Sequence, residues 1–224
     1  MPRTRHGTVR LVAGVGCAHA LLFALAYGLL VSTPGVQASD EAIVDFYQSG
    51  RQRLLILAGL YLMPFAGITF LWFSVALRVC LQSPRVSELL SGIQLASGIL
   101  YVALFFASAA AFSVMAASIQ FSHAPVDPVV ARQLPQYGAT LMLGFAMRMA
   151  AMFVFTTSRL GRMSGWLPAW FAHVGLVVGL FLLLCVGFDR VLVLVFPAWL
   201  VAVSVVLLVR SGAAARAALT APGS

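Results

Sequence analysis

Residues 53–80 read RLLILAGLYLMPFAGITFLWFSVALRVC. No charged residue lies between Arg53 and Arg78. The run exceeds the roughly 20 mainly apolar residues that carry a helix across a bilayer core of about 30 Å. No water-facing surface accommodates such a stretch, so its reading decides the class of the whole protein: a membrane helix.

Five more runs qualify, giving six spans in all. They cover approximately Val9 to Ser32, Arg53 to Cys80, Glu88 to Ser118, Gln136 to Ser158, Leu167 to Phe188 and Val191 to Val209. The second and third are longer than a crossing needs, which predicts tilt or extension beyond the bilayer. Composition agrees. Of 224 residues, 62% are hydrophobic and 9% charged, where a soluble domain carries about 25% charged. That excludes a soluble globular enzyme, a disordered chain and a disulfide-stapled secreted domain. The expected fold is all-α: a single polytopic bundle of six transmembrane helices over residues 1–224.

The net charge of +8 comes from 14 Arg against six acidic residues, with no Lys. The arginines stand singly between apolar runs, so they read as topology signals and nucleic acid is not an expected partner. Arg3, Arg5, Arg10, Arg78, Arg85, Arg159, Arg162, Arg210 and Arg216 fall on one side; Arg51, Arg53, Arg132 and Arg190 fall on the other. The imbalance predicts cytoplasmic termini in a multi-pass plasma-membrane protein. Trp166 and Trp170 flank the cytoplasmic start of the fifth span as interfacial aromatics. The first span has a basic start, but its apolar stretch is longer than the 7–15 residues or so of a secretory signal, so a retained helix is expected.

Two outer loops are longer. Ser39-Asp40-Glu41 is an N-cap signal followed by Ile43, Val44, Phe46 and Tyr47. It predicts a short helix over about 39–50, either a lid or an interfacial anchor. The loop from Ile119 to Pro135 contains Pro125, Pro128 and Pro135 and is expected to be irregular. Pro64 and Pro197 are read as interruptions within the second and sixth spans; their mismatch argues against a simple inverted repeat. Gly175 and Gly179 form a GxxxG in the fifth span, and Ala13, Gly14, Gly16, Cys17, Ala18 and Ala20 make the first span small-sided. Such surfaces bring helices close in lipid, either within the bundle or in a homo-oligomer or membrane complex.

Candidate chemistry is sparse. Cys17, Cys80 and Cys185 lack ligand spacing and read as small hydrophobes. Met142, Met147, Met149 and Met152 cluster without a regular ladder and read as apolar filler. No HExxH, GxSxG, P-loop or GxGxxG occurs. Asp40, Glu41, Asp45, Glu88, Asp127 and Asp189 all fall in loops or at helix ends, so a carboxylate pair at mid-membrane is not expected. His19 and His173 lie about 13 Å and 10 Å from the same membrane face by residue count. They are candidate axial ligands for a b-type haem, members of a proton relay, or two unrelated bundle histidines.

Arg148 stands 11 residues before Arg159, about 16 Å from the cytoplasmic edge. An arginine at a helix centre costs about 2.5–3.5 kcal/mol on insertion scales. Pro64 falls at nearly the same depth and deprives the Leu60 carbonyl of its helical donor, offering an acceptor. The expectation is a polar centre at Arg148 with Leu60 and Pro64. It either ties helices together or holds an anionic small molecule or lipid headgroup. The leading functional expectation is a non-enzymatic binding, transport-type or accessory bundle.

Several stretches together resemble a group of uncharacterised six-helix membrane proteins of high-GC Gram-positive bacteria. They are Pro64-Phe65-Ala66-Gly67-Ile68 with Phe70 to Phe73, Arg148 to Ala151, Phe196-Pro197-Ala198-Trp199 with Val201 to Leu207, and Ser39 to Glu41. The resemblance implies the topology and carries no activity, substrate or catalytic residue.

Overall fold

The computed structural model describes residues 2–83, 87–184 and 190–220, with side chains from residue 7 to residue 212 of those ranges except that of residue 190. Arg85, Cys185 and Asp189 lie outside the described residues. The chain is all helical among them: α1 (Pro2–Leu30), α2 (Asp40–Gln48), α3 (Gly50–Leu81), α4 (Glu88–Ser122), α5 (Pro128–Ala139), a π-helical stretch (Thr140–Ala146), α6 (Met147–Met163), α7 (Ala169–Leu184), a 3-10 turn (Arg190–Leu194) and α8 (Val195–Thr220).

Five helical runs of the described residues are long and apolar enough to cross a membrane: Gly7–Leu30, Gly50–Leu81, Glu88–Ser122, Pro128–Met163 and Val191–Gly212. They identify a multi-pass helical membrane bundle. The fifth expected span, Leu167 to Phe188, appears as α7 with 16 residues, about 24 Å at 1.5 Å per residue.

Helix α1 packs chiefly against α3 and α8 and also touches α4, which in turn packs on α3, α5 and α6. The buried positions of α1, among them Val9, Val12, Ala13, Gly16, His19, Phe23, Ala26, Tyr27 and Leu30, recur every three or four residues and form one stripe. At Gly16 an added Cβ would meet Ser204 and Phe73, so the small side of α1 lets α3 and α8 approach together. The long helices meet in one aromatic cluster. Phe23 comes from α1, Phe70 and Phe73 from α3, Tyr101 and Phe105 from α4, Phe153 from α6 and Phe196 from α8. Phe70 is its hub, with ring centroids 5.0 Å from His19, 5.1 Å from Tyr101, 5.2 Å from Phe153 and 5.7 Å from Phe196. Offset and edge-on contacts of this kind are favourable beyond the area they bury.

Two prolines behave differently from expectation. The loop expected to be irregular instead starts α5 at Pro128. Asp127 caps it by accepting from the amides of Val129 (2.9 Å) and Val130 (3.2 Å). An Asp-Pro pair at a helix start needs no donor from the proline, which is why this proline begins a helix rather than preventing one. Pro197 lies in the first turn of α8, so it opens that helix after the 3-10 turn instead of interrupting it.

The expected short helix is α2, held by its own cap and by two arginines. The Ser39 hydroxyl accepts from the Ala42 amide at 3.2 Å. Arg53 donates to the Tyr47 and Gln48 carbonyls at 2.7 and 2.9 Å, satisfying acceptors at the C-terminal end of α2. Arg132 donates to the Ala38 carbonyl at 3.0 Å and pairs with Asp40 at 2.7 Å. Ile43 and Tyr47 are buried, so α2 is packed onto the bundle against α3 and α5. That burial pushes the Tyr47 phenol up to about 12.

Candidate functional site

Helix α4 turns polar side chains inward. Ser91, Gln94, Ser97 and Tyr101 are all buried and recur at steps of three, three and four, which places them on one helical face. Ser91 Oγ accepts from Arg78 Nε at 2.7 Å. Gln94 Nε2 donates to Thr157 Oγ1 on α6 at 2.7 Å, and Ser97 Oγ donates to the Gln94 carbonyl at 2.9 Å. The row therefore leads from Arg78, at one end of α3, into the aromatic cluster at Tyr101.

His19 stands beside the inner end of this row, fully buried. Its ring lies 6.4 Å from that of Tyr101 and 5.6 Å from that of Phe23, centroid to centroid. Nδ1 makes a 2.9 Å hydrogen bond with the Ala66 carbonyl of α3. A carbonyl only accepts, so Nδ1 carries the hydrogen, and in the neutral ring Nε2 is an acceptor. Nε2 of His19, Oη of Tyr101 and Oε1 of Gln94 are buried without a hydrogen-bond partner among the described residues. Each such group costs about 1–3 kcal/mol unless something satisfies it. Two of the three are acceptors and the third is a hydroxyl. The complement of this set is a small species rich in hydrogen-bond donors, water included.

The two histidines are not brought together. His173 is exposed on the outer face of α7, in a cleft with Arg159 and Arg162, while His19 is enclosed by α1, α3 and α4. The two imidazoles face no common cofactor position.

Arg148, Leu60 and Pro64 are likewise not assembled into one site. Arg148 is half-buried and donates to the Leu143 carbonyl within its own helical run. Leu143 belongs to the π-helical stretch and lies five residues back, the π-helical spacing. Pro64 is exposed on α3. The Ala66 carbonyl of α3 does accept from another helix's side chain, that of His19.

The glycine pair of α7 is occupied inside the chain. A Cβ at Gly175 would run into Ser158, and one at Gly179 into the Phe155 ring. The GxxxG therefore seats α7 on α6 within the chain, which is the first of the two roles its small residues suggested. Among the described residues no group of three His, Cys, Asp or Glu is placed to hold a metal ion.

Gln94, Ser97 and Tyr101 escape a sequence reading that weighs charged, imidazole, thiol and thioether groups. Their signal was available: polar residues at helical spacing inside an apolar span.

Comparison with protein-family models, curated proteins and solved structures finds no match to this chain.

Proposed function

We propose that this chain is a non-enzymatic, binding or transport-type bundle of a bacterial plasma membrane, and that its working centre is the buried polar row of α4 with His19. A role as an accessory subunit uses the same centre. What supports the reading is the set of unpaired polar atoms on His19, Tyr101 and Gln94 deep in an otherwise apolar, aromatic interior. Unpaired polar groups inside a membrane bundle are expensive and mark pathways for water, protons or small polar solutes. The absence of any carboxylate among these residues favours a neutral or donor-rich species over a metal cation.

In this reading the chain crosses six times with both termini cytoplasmic. The arginine distribution supports it, and α7 makes the fifth crossing. The row of α4 then opens at Arg78 on the cytoplasmic side. Arg148 serves as a tie for the π-helical stretch rather than as the centre, because its hydrogen bond goes to Leu143 in the same run. The kinship with six-helix proteins of high-GC Gram-positive bacteria is part of this proposal and rests on the stretches around Pro64, Arg148 and Pro197.

The test is water access along the row. Single cysteines replacing Ser91, Ser97 and, as an apolar-face control, Ile99 are labelled in membranes with a small water-soluble thiol reagent, in a background with the native cysteines changed to Ala. Labelling at 91 and 97, and none at 99, is expected. Equal silence at all three positions contradicts a polar path.

A further inference from the structure

The outward face of α7 carries a polar half and an apolar half in one line. At its N-terminal end a cleft of about 200 Å³ lies between α6 and α7, lined by Phe155, Ser158, Arg159, Arg162, His173 and Leu176, with Ala172 beside them. Phe155, Ser158, Arg159 and Arg162 follow at steps of three, one and three, so one face of α6 presents both guanidinium groups to the cleft. Both arginines are exposed, and among the described residues neither side chain has a hydrogen bond or an ion pair. Ser158, a lining residue of the same cleft, is 4% exposed, and its Oγ lies against Gly175 with no hydrogen-bond partner among the described residues.

The other half begins one turn further along. Val177, Leu180, Phe181 and Leu184 line an open apolar groove. His173, Val177, Leu180 and Leu184 follow at steps of four, three and four, which places them in one stripe of α7. Two cations, an imidazole and an unsatisfied hydroxyl therefore head an apolar track about 16 Å long, from the 11 residues between His173 and Leu184.

The geometry points to a site for an anionic phospholipid. Its phosphate sits against Arg159 and Arg162, with the Ser158 hydroxyl and the His173 ring as further donors, and one acyl chain lies along Val177, Leu180 and Leu184. Guanidinium groups suit phosphate because they present several donors in a fixed plane. The tight turn between α6 and α7 fixes the cleft. Gly165 adopts φ 78°, and the Leu167 amide bonds to the Gly161 carbonyl at 2.9 Å, so α7 folds back directly onto α6. This site is separate from the α4 row and stands or falls independently of it.

The test uses the full chain in a neutral detergent, with lipid binding followed by native mass spectrometry and by melting temperature. Phosphatidylglycerol, phosphatidylcholine and inorganic phosphate are titrated in parallel. One saturable phosphatidylglycerol site is expected, with phosphatidylcholine and inorganic phosphate binding at least about tenfold more weakly. The double variant Arg159→Gln, Arg162→Gln should lose about tenfold or more in phosphatidylglycerol affinity, whereas Arg210→Gln should not. His173→Ala is the second probe of the headgroup half and should weaken phosphatidylglycerol binding with little change in lipid-free melting temperature. Leu180→Gln should weaken lipid binding without affecting inorganic phosphate. Equal binding of the two lipids would make this an ordinary acyl-coated surface, and inorganic phosphate matching the lipid would make it a free-anion site. Either result overturns the proposal, as does undiminished binding by the double arginine variant.

Discussion

Helices α4 and α7 are both strongly apolar, yet they dispose of their polar residues in opposite directions. In α4, Ser91, Gln94, Ser97 and Tyr101 are buried against α3 and α6 and beside His19 of α1. In α7, His173 is exposed and the inward positions are Phe171, Ala172, Gly175, Gly179 and Leu182. Lipid supplies no hydrophobic drive between helices, so packing quality and polar partners decide which face turns inward. The glycines let α7 lie close on α6, and its apolar residues lose nothing by facing lipid. The inward polar groups of α4 gain only if something inside the bundle satisfies them. The difference separates an internal centre from a peripheral helix that meets the surrounding lipid.

The largest expected effect is on the aromatic hub. Phe70→Ala removes ring contacts to His19, Tyr101, Phe153 and Phe196 at once. In a water-soluble core the cost would be about 3–5 kcal/mol. In lipid the transfer part largely disappears and the cavity part remains, so a loss of about 2–3 kcal/mol is expected. Reversible unfolding in mixed micelles measures it. The matching change on the outer face, Leu180→Ala, should cost well under 1 kcal/mol or so because lipid refills the space. Equal losses would erase the distinction between inner and peripheral helices.

Next comes the seat of α7. Gly175→Leu places a side chain where Ser158 stands and should cost about 1–3 kcal/mol by overpacking. Gly14→Leu is the comparison: Gly14 has open space around its Cβ position and should tolerate the change. A disulfide engineered between α6 and α7 reports whether the destabilisation is a loosening of this contact. If Gly14→Leu is the more damaging, α1 has a tighter neighbour than the structure gives it.

A smaller effect concerns α2. Burial holds the Tyr47 phenol protonated up to about 12, whereas in an undocked helix it would ionise near its ordinary value of about 10. The folded state binds the proton more tightly, so the contribution is complete below about 10 and falls as pH rises from there to about 12. Melting temperature of the wild type should drop through that window more steeply than that of Tyr47→Phe. Parallel curves would mean that α2 is not docked through Tyr47.

Much of the architecture was legible because the spacing between Arg53 and Arg78, and its counterparts elsewhere, is a bulk property of the chain. The Ser39-Asp40-Glu41 start of α2 was equally readable, since an N-cap acts locally. What escaped was set by neighbours. Asp127-Pro128 is a local helix start hidden among prolines that also suit a loop. Thr140–Ala146 adopts a π-helix that no residue type announces. Arg148 had a plausible partner in the carbonyl freed by Pro64, but equal distance along two helices does not turn their groups toward each other, and Arg148 donates to Leu143 within its own run. His19 and His173 failed to meet for the same reason: a residue count gives distance along a helix and says nothing of azimuth. Gln94 and Tyr101 were missed because uncharged polar residues in an apolar span attract less notice than charges, although their spacing already put them on one face.

The central claim is that the unpaired atoms of this centre, Tyr101 Oη, Gln94 Oε1 and His19 Nε2, are satisfied by something other than this chain. Tyr101→Phe tests it most directly, since the substitution deletes one buried oxygen and leaves the ring in its cluster. The unfolding free energy of wild type and variant is compared in native-like lipid. If water or a small polar solute pairs with that oxygen, the variant loses about 1 kcal/mol, the typical net worth of a hydrogen bond. A variant more stable than wild type by about 1–3 kcal/mol, the cost of an unsatisfied buried group, would mean that nothing ever pairs with it, and the row would then be packing and no centre at all.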